Sequence, residues 1–192
     1  TYVRPAVAPP LPHALQQLRP MAIPESPSSP LLTRTVLKHN FVVPLDYDYG
    51  KSTRDNYRHA GGALHSYGCF AEVRDGLDKA YHGAYTPERQ AMQDELVHQA
   101  VDPHKSQQES PWIVFTAGAM GAGKSRTIKW MSQHSIFPLD DIVHLDSDIF
   151  KAALPEWRGY VASDPLAAGV HTRHESGYLV EIAQEVALRL GK

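Results

Sequence analysis

Between Pro111 and Ser125 the chain reads Pro-Trp-Ile-Val-Phe-Thr-Ala-Gly-Ala-Met-Gly-Ala-Gly-Lys-Ser, and no other stretch restricts the possible folds as much. Trp112 to Thr116 is a short apolar run of the kind buried in a parallel sheet. Gly118-x-x-x-x-Gly123-Lys124-Ser125 follows it with the spacing of a phosphate-binding loop, the Walker A pattern. Strand, glycine-rich loop and helix in that order predict an α/β fold of the P-loop NTPase type, a parallel sheet flanked by helices. Gly118, Gly121 and Gly123 let the backbone turn tightly enough to aim successive N–H groups at a phosphate. A helix beginning near Ser125 adds its positive end to the same site. The candidate nucleotide-binding residues are Gly118, Ala119, Met120, Gly121, Ala122, Gly123, Lys124, Ser125 and Arg126. Lys124 is placed to reach the β- and γ-phosphates, and the Ser125 hydroxyl to hold Mg²⁺. A glycine-rich surface turn that precedes a lysine by accident is the competing explanation, and it accounts for neither flank.

A second acidic element lies one crossover away. Ile142 to Leu145 reads as another buried strand, parallel to the first, and Asp146-Ser-Asp148 closes it. Ligands of open parallel sheets gather at the carboxyl ends of the strands, which puts these carboxylates beside the γ-phosphate. If the strand runs through residue 148, its period of two sends Asp146 and Asp148 to one side. One carboxylate then orients a nucleophilic hydroxyl while the other holds Mg²⁺ through water. The plainer alternative is that Ser147 or Asp148 caps the next helix, over Ile149 to Leu154. Lys151 and Glu175 are candidate substrate contacts. A solvated lysine and a polar first helical turn are the commoner explanations for such residues.

The rest of the chain frames this region. Residues 1–45 form a Pro-rich extended arm: nine of the 15 prolines, Pro5, Pro9, Pro10, Pro12, Pro20, Pro24, Pro27, Pro30 and Pro44, rule out helix and central strand. Leu31, Leu32, Val36, Leu37, Phe41, Val42 and Val43 favour docking of its second half, on its own domain or on a protein partner. Residues 46–110 read as a loop followed by two helices, one over Phe70 to Tyr81 and one opened by Thr86-Pro87-Glu88. A last helix is expected from Thr172 to Leu190, while Trp157 to Pro165 reads as irregular. Residues 111–192 make up the core region that carries the glycine-rich loop and the acidic edge.

Composition removes several function classes. Net charge is −2, which argues against a nucleic-acid surface as the main business. No apolar run approaches the ~20 residues of a membrane span. The lone cysteine, Cys69, excludes an internal disulfide, fits a reducing compartment and reads as a packed thiol beside Phe70. His59 and His65 have no third ligand at a metal-site spacing. An intracellular protein is expected, cytoplasmic or, from the Arg-rich, acid-poor start, mitochondrial.

With these residues assembled, the chain resembles the zeta toxin family of P-loop kinases. The resemblance is carried by Gly118-Ala-Met-Gly-Ala-Gly-Lys-Ser125, Leu145-Asp-Ser-Asp-Ile-Phe-Lys151 with Leu154-Pro-Glu-Trp157, and His171-Thr-Arg-His-Glu-Ser-Gly177. Tyr81-His-Gly-Ala-Tyr-Thr-Pro-Glu-Arg-Gln90 is similar to the segment ahead of the loop in eukaryotic members. It implies that Lys124 and Ser125 bind ATP and Mg²⁺, and that Asp148 is the catalytic aspartate orienting the acceptor hydroxyl. The implied activity is phosphorylation of a small-molecule hydroxyl such as that of a nucleotide-sugar. The family core has about five parallel strands, of which two are visible, so the expectation is the N-terminal part of that core. A non-catalytic P-loop subunit, strapped to a larger assembly by residues 1–44, is the alternative from a different class.

Overall fold

One long helix organises what the computed structural model describes, namely residues 41–59, 65–102, 109, 111–119 and 121–192. The body of the arm at 1–40, Gly61-Gly62, Pro103 and Met120 lie outside the described residues. The helices are α1 (Thr53–Asn56), α2 (Ala71–Gly76), α3 (Lys79–His82), α4 (Pro87–Val101), α5 (Lys124–Gln133), α6 (Ser147–Ala153), α7 (Trp157–Ser163) and α8 (Ala168–Arg189), with a 3-10 turn at Leu139–Asp141.

Helix α8 buries Ala168, Thr172, Glu175, Leu179, Ile182 and Val186 along one stripe, and Ser176, Tyr178, Ala183 and Ala187 beside it. That band is wider than a single amphipathic face, because α1, α2, α3, α4, α6 and α7 all pack around the same rod. Leu179 and Ile182 are fully buried, each contributing about 2–3 kcal/mol of transfer free energy. The helix starts four residues ahead of Thr172, since the Asp164 carboxylate accepts from the N–H groups of Leu166 and Ala167 and so orders the entry. It ends in a Schellman closure: Gly191, at φ 68°, donates to Leu188 O and Lys192 to Ala187 O.

Helix α4 forms as the sequence predicts. Thr86 caps it by accepting from the Arg89 N–H, and Pro87 occupies the first turn. Met92, Val97 and Val101 are fully buried against the core. The helix expected over Phe70 to Tyr81 is instead two. Leu77 leaves α2 in an extended conformation and Asp78 starts α3 afresh, accepting from Ala80 and Tyr81. The stretch after Pro155 is helical as α7, and a short α1 lies in what reads as loop.

The expected parallel sheet is not there: among the described residues no strand or sheet forms, and an isolated antiparallel bridge joins Arg58 to Tyr85. The described architecture is helical, which corrects the α/β P-loop expectation. Trp112–Thr116 carries no helix or ladder, and Trp112 is 87% and Phe115 77% exposed. Ile142–Leu145 is likewise without a ladder. Apolar runs become strands only when a neighbour satisfies their N–H and C=O groups, and neither run has that neighbour here. Together with Val180, Gln184 and Leu188 of α8 they line a cavity of about 520 Å³. No described helix is long and apolar enough to cross a membrane.

Candidate functional site

The glycine-rich loop takes the backbone its sequence demands. Gly118, Gly121 and Gly123 adopt φ of 152°, 76° and 81°, values that side-chain-bearing residues rarely reach. Gly123 is the left-handed residue that opens α5. At that helix end the first N–H groups have no intrahelical acceptor and are free for an anion. Lys124 folds back across the loop, its Nζ donating to Gly118 O at 2.8 Å and to Ala119 O at 3.1 Å. Ser125 and Arg126 are exposed on the first turn, and Ala122 closes a turn onto Ala119 O. Met120 is outside the described residues. Helix α5 buries no side chain fully, so the loop lies open to solvent.

The acidic edge is arranged differently from the expected strand end. Helix α6 begins at Ser147, and Asp146 is its N-cap, accepting the Asp148 N–H at 2.9 Å. The cap is therefore Asp146, rather than Ser147 or Asp148. Asp148 stands in the first turn, 80% exposed, with its carboxylate accepting from Lys151 Nζ at 2.7 Å. Lys151 itself is largely covered, so this candidate substrate contact is engaged with the candidate catalytic acid. One Asp146 oxygen is used by the cap. Among the described residues no group of three His, Cys, Asp or Glu side chains is placed to hold a metal ion.

Glu175 has a wholly different setting from an open substrate contact. It is fully buried, and its two oxygens accept from Arg89 Nε at 2.7 Å and Nη2 at 2.9 Å, with Gln93 Nε2 adding a bond at 2.7 Å. The same guanidinium donates to both oxygens of Glu156, at 2.8 and 3.1 Å, and Tyr57 donates its hydroxyl to Glu156 as well. Phe41 and Tyr57 present ring faces to it at 5.0 and 4.1 Å. Burial by itself would raise the Glu175 pKa, but the charge and hydrogen bonds of Arg89 outweigh it and hold the carboxyl below its ordinary range. The Arg89 pKa is displaced upward: desolvation opposes its charge, and the two glutamates more than compensate. Glu156 lies in the Leu154–Trp157 motif and Arg89 in the Tyr81–Gln90 stretch, but neither has a role there that the sequence discloses, since nothing in an amphipathic pattern singles out a buried arginine or its partners.

Cys69 also departs from its expected setting. It is exposed, and its Sγ stands 3.2 Å from Asp94 Oδ2 and 3.2 Å from His98 Nε2. Partial burial, then the Asp94 carboxylate, push the thiol pKa up to about 11, which suits a hydrogen-bond donor better than a nucleophile.

Compared with known proteins, residues 95–192 match the model of the Zeta toxin family, half of the chain. No curated protein and no solved structure matches. The match begins within α4 and takes in the loop, the acidic edge, Glu156 and Glu175.

Proposed function

The chain belongs to the zeta toxin family, and from that premise we propose that it is an ATP-dependent phosphotransferase acting on a hydroxyl of a small molecule such as a nucleotide-sugar. The observation that carries this reading is the loop itself, three glycines at positive φ with Lys124 folded over the mouth and the start of α5 behind it. That arrangement supports capture of a triphosphate: backbone N–H groups for the phosphate oxygens, and an ammonium that exchanges two carbonyl partners for β- and γ-phosphate.

In this reading Asp148 aligns the acceptor hydroxyl towards the γ-phosphorus. Release from Lys151 frees the carboxylate for that contact and the ammonium for the acceptor. A loose phosphoryl-transfer state asks for alignment and charge stabilisation more than for early proton abstraction. Ser125 and Asp146 would be the residues to hold Mg²⁺, whose charge would neutralise that of the phosphate oxygens. Lys124 stabilises the charge that develops on the transferred group.

Incubation with ATP, Mg²⁺ and a panel of hydroxyl acceptors, UDP-activated amino sugars among them, tests the proposal. Transfer that falls at least a hundredfold in Asp148→Asn supports it (~3 kcal/mol of barrier). Transfer undiminished by that change, or none with any acceptor, overturns it.

A non-catalytic scaffold is the second reading, favoured by the exposure of Trp112, Ile113, Val114 and Phe115 beside the loop. Its partner would be a protein engaged by the arm. Affinity capture with and without residues 1–40, leaving Phe41 in place, tests it; an unchanged set of bound proteins counts against the scaffold.

A further inference from the structure

The Arg89 cluster joins the turn that follows α6, the helix presenting Asp148, to α8. Guanidinium groups pair with carboxylates through a planar fork, and a single fork satisfies one carboxylate. Arg89 serves two. Nε and Nη2 face Glu175 on α8, while Nη1 and Nη2 face Glu156 in the turn between α6 and α7. All three side chains are fully buried. Tyr57 and Gln93 add neutral hydrogen bonds to the two glutamates, leaving Arg89 as the positive charge that the ion pairs of this pocket share.

Helix α6 has only seven residues, too short to be stable by itself. Its N-terminal end is held by its own cap, Asp146, and Asp148 points into solvent. Its seat comes from Phe150 and Leu154, both buried, and from Glu156 two residues beyond its C-cap. We propose that Arg89 is a positioning residue for Asp148: by clamping Glu156 to Glu175 it fixes α6 on α8, and with α6 the carboxylate at its first turn. The proposal rests on the reading of Asp148 as the residue that aligns the acceptor. Among the described residues the hydrogen-bonded partners of the Arg89 guanidinium are Glu156 and Glu175, and neither Asp148 nor a loop residue is one of them. Without the double fork, two buried carboxylates confront each other. The turn at Pro155-Glu156 is then free to leave the core, because Glu156 sits at the end of a short element and Glu175 in the middle of a long one.

Two variants test this by amide hydrogen exchange on the full chain. Arg89→Lys replaces the fork by a point charge. Glu156→Gln leaves Arg89 and Glu175 as a charge-balanced pair and keeps the side-chain volume, so it stays folded. In both, the α6 amides from Ile149 to Leu154 are expected to exchange at least about tenfold faster relative to those of Ile182–Val186 in α8, which act as the internal reference. A uniform acceleration of both sets would mean that Arg89 serves stability alone and would overturn the proposal, as would unchanged α6 exchange. Turnover gives a second reading on the same variants: phosphoryl transfer about tenfold slower in kcat, with the KM for ATP within twofold. Wild-type protein that transfers no phosphate would sink the kinase reading, while the exchange ratio still decides whether Arg89 places α6.

Discussion

Lys124 and Gly118 fit against each other at the mouth of the glycine-rich loop. The ammonium donates to the Gly118 carbonyl at 2.8 Å, and a Cβ on residue 118 would stand 3.3 Å from Lys124 Cδ, tighter than ordinary packing. Gly118 also holds φ at 152°. Gly118→Ala is therefore strained in backbone and crowded at the lysine. Nucleotide affinity should drop about tenfold, ~1.4 kcal/mol, read by titration with a fluorescent ATP analogue. Unchanged affinity would show that the loop binds in another conformation.

Lys124→Ala removes the loop's own cation. Its bonds are to surface carbonyls, so the unfolding free energy from urea titration should stay within ~0.5 kcal/mol. Nucleotide affinity should fall at least tenfold, since a charge-assisted bond to phosphate contributes roughly 1.5–3 kcal/mol. The two titrations together separate a binding defect from a folding one.

Arg89→Met should be among the most damaging single changes outside the loop. It leaves Glu156 and Glu175 buried without their counter-charge, at a cost of roughly 3–5 kcal/mol by equilibrium unfolding.

The same cluster predicts an acid limb. Glu175 has its folded pKa depressed, so the unfolded chain takes up the proton first. Its contribution to stability is complete above the ordinary carboxylate value and is lost as pH falls through the folded value. Urea midpoints at pH 7, 5, 4 and 3 should decline more steeply for the wild type than for Glu175→Gln. Parallel declines would mean that Glu175 is not the group responsible.

Cys69 should alkylate slowly at pH 7–8, with the rate still climbing towards its pKa of about 11. Asp94→Asn, which removes the carboxylate facing the sulfur, should bring the inflection down. Iodoacetamide kinetics from pH 7 to 11 report both curves.

What the sequence disclosed follows the range of the forces involved. The Thr86-Pro87 start of α4 and the positive-φ glycines of the loop were legible because caps and turns are decided within four residues. The break at Leu77-Asp78 was legible in principle, through Gly76 and the capping Asp78, but a continuous apolar spacing hid it. The two apolar runs at 112–116 and 142–145 were misjudged as strands, since a ladder depends on partners that a local pattern does not specify. Asp146 and Asp148 could be singled out as acids from the sequence, but that one caps α6 and the other pairs with Lys151 depends on where α6 starts. The role of Arg89 was the least visible. Its partners lie 67 and 86 positions away, and an arginine on a helix normally signals solvent.

That distance has a consequence for how this stretch of sequence can be inherited or moved. The family match opens at residue 95, six positions after the arginine on which two of its glutamates depend. A transplant cut at that boundary would carry both negative charges into the new host and leave their counter-ion behind. The transferable unit is set by where charge balances, and here it must reach back at least to the first turn of α4.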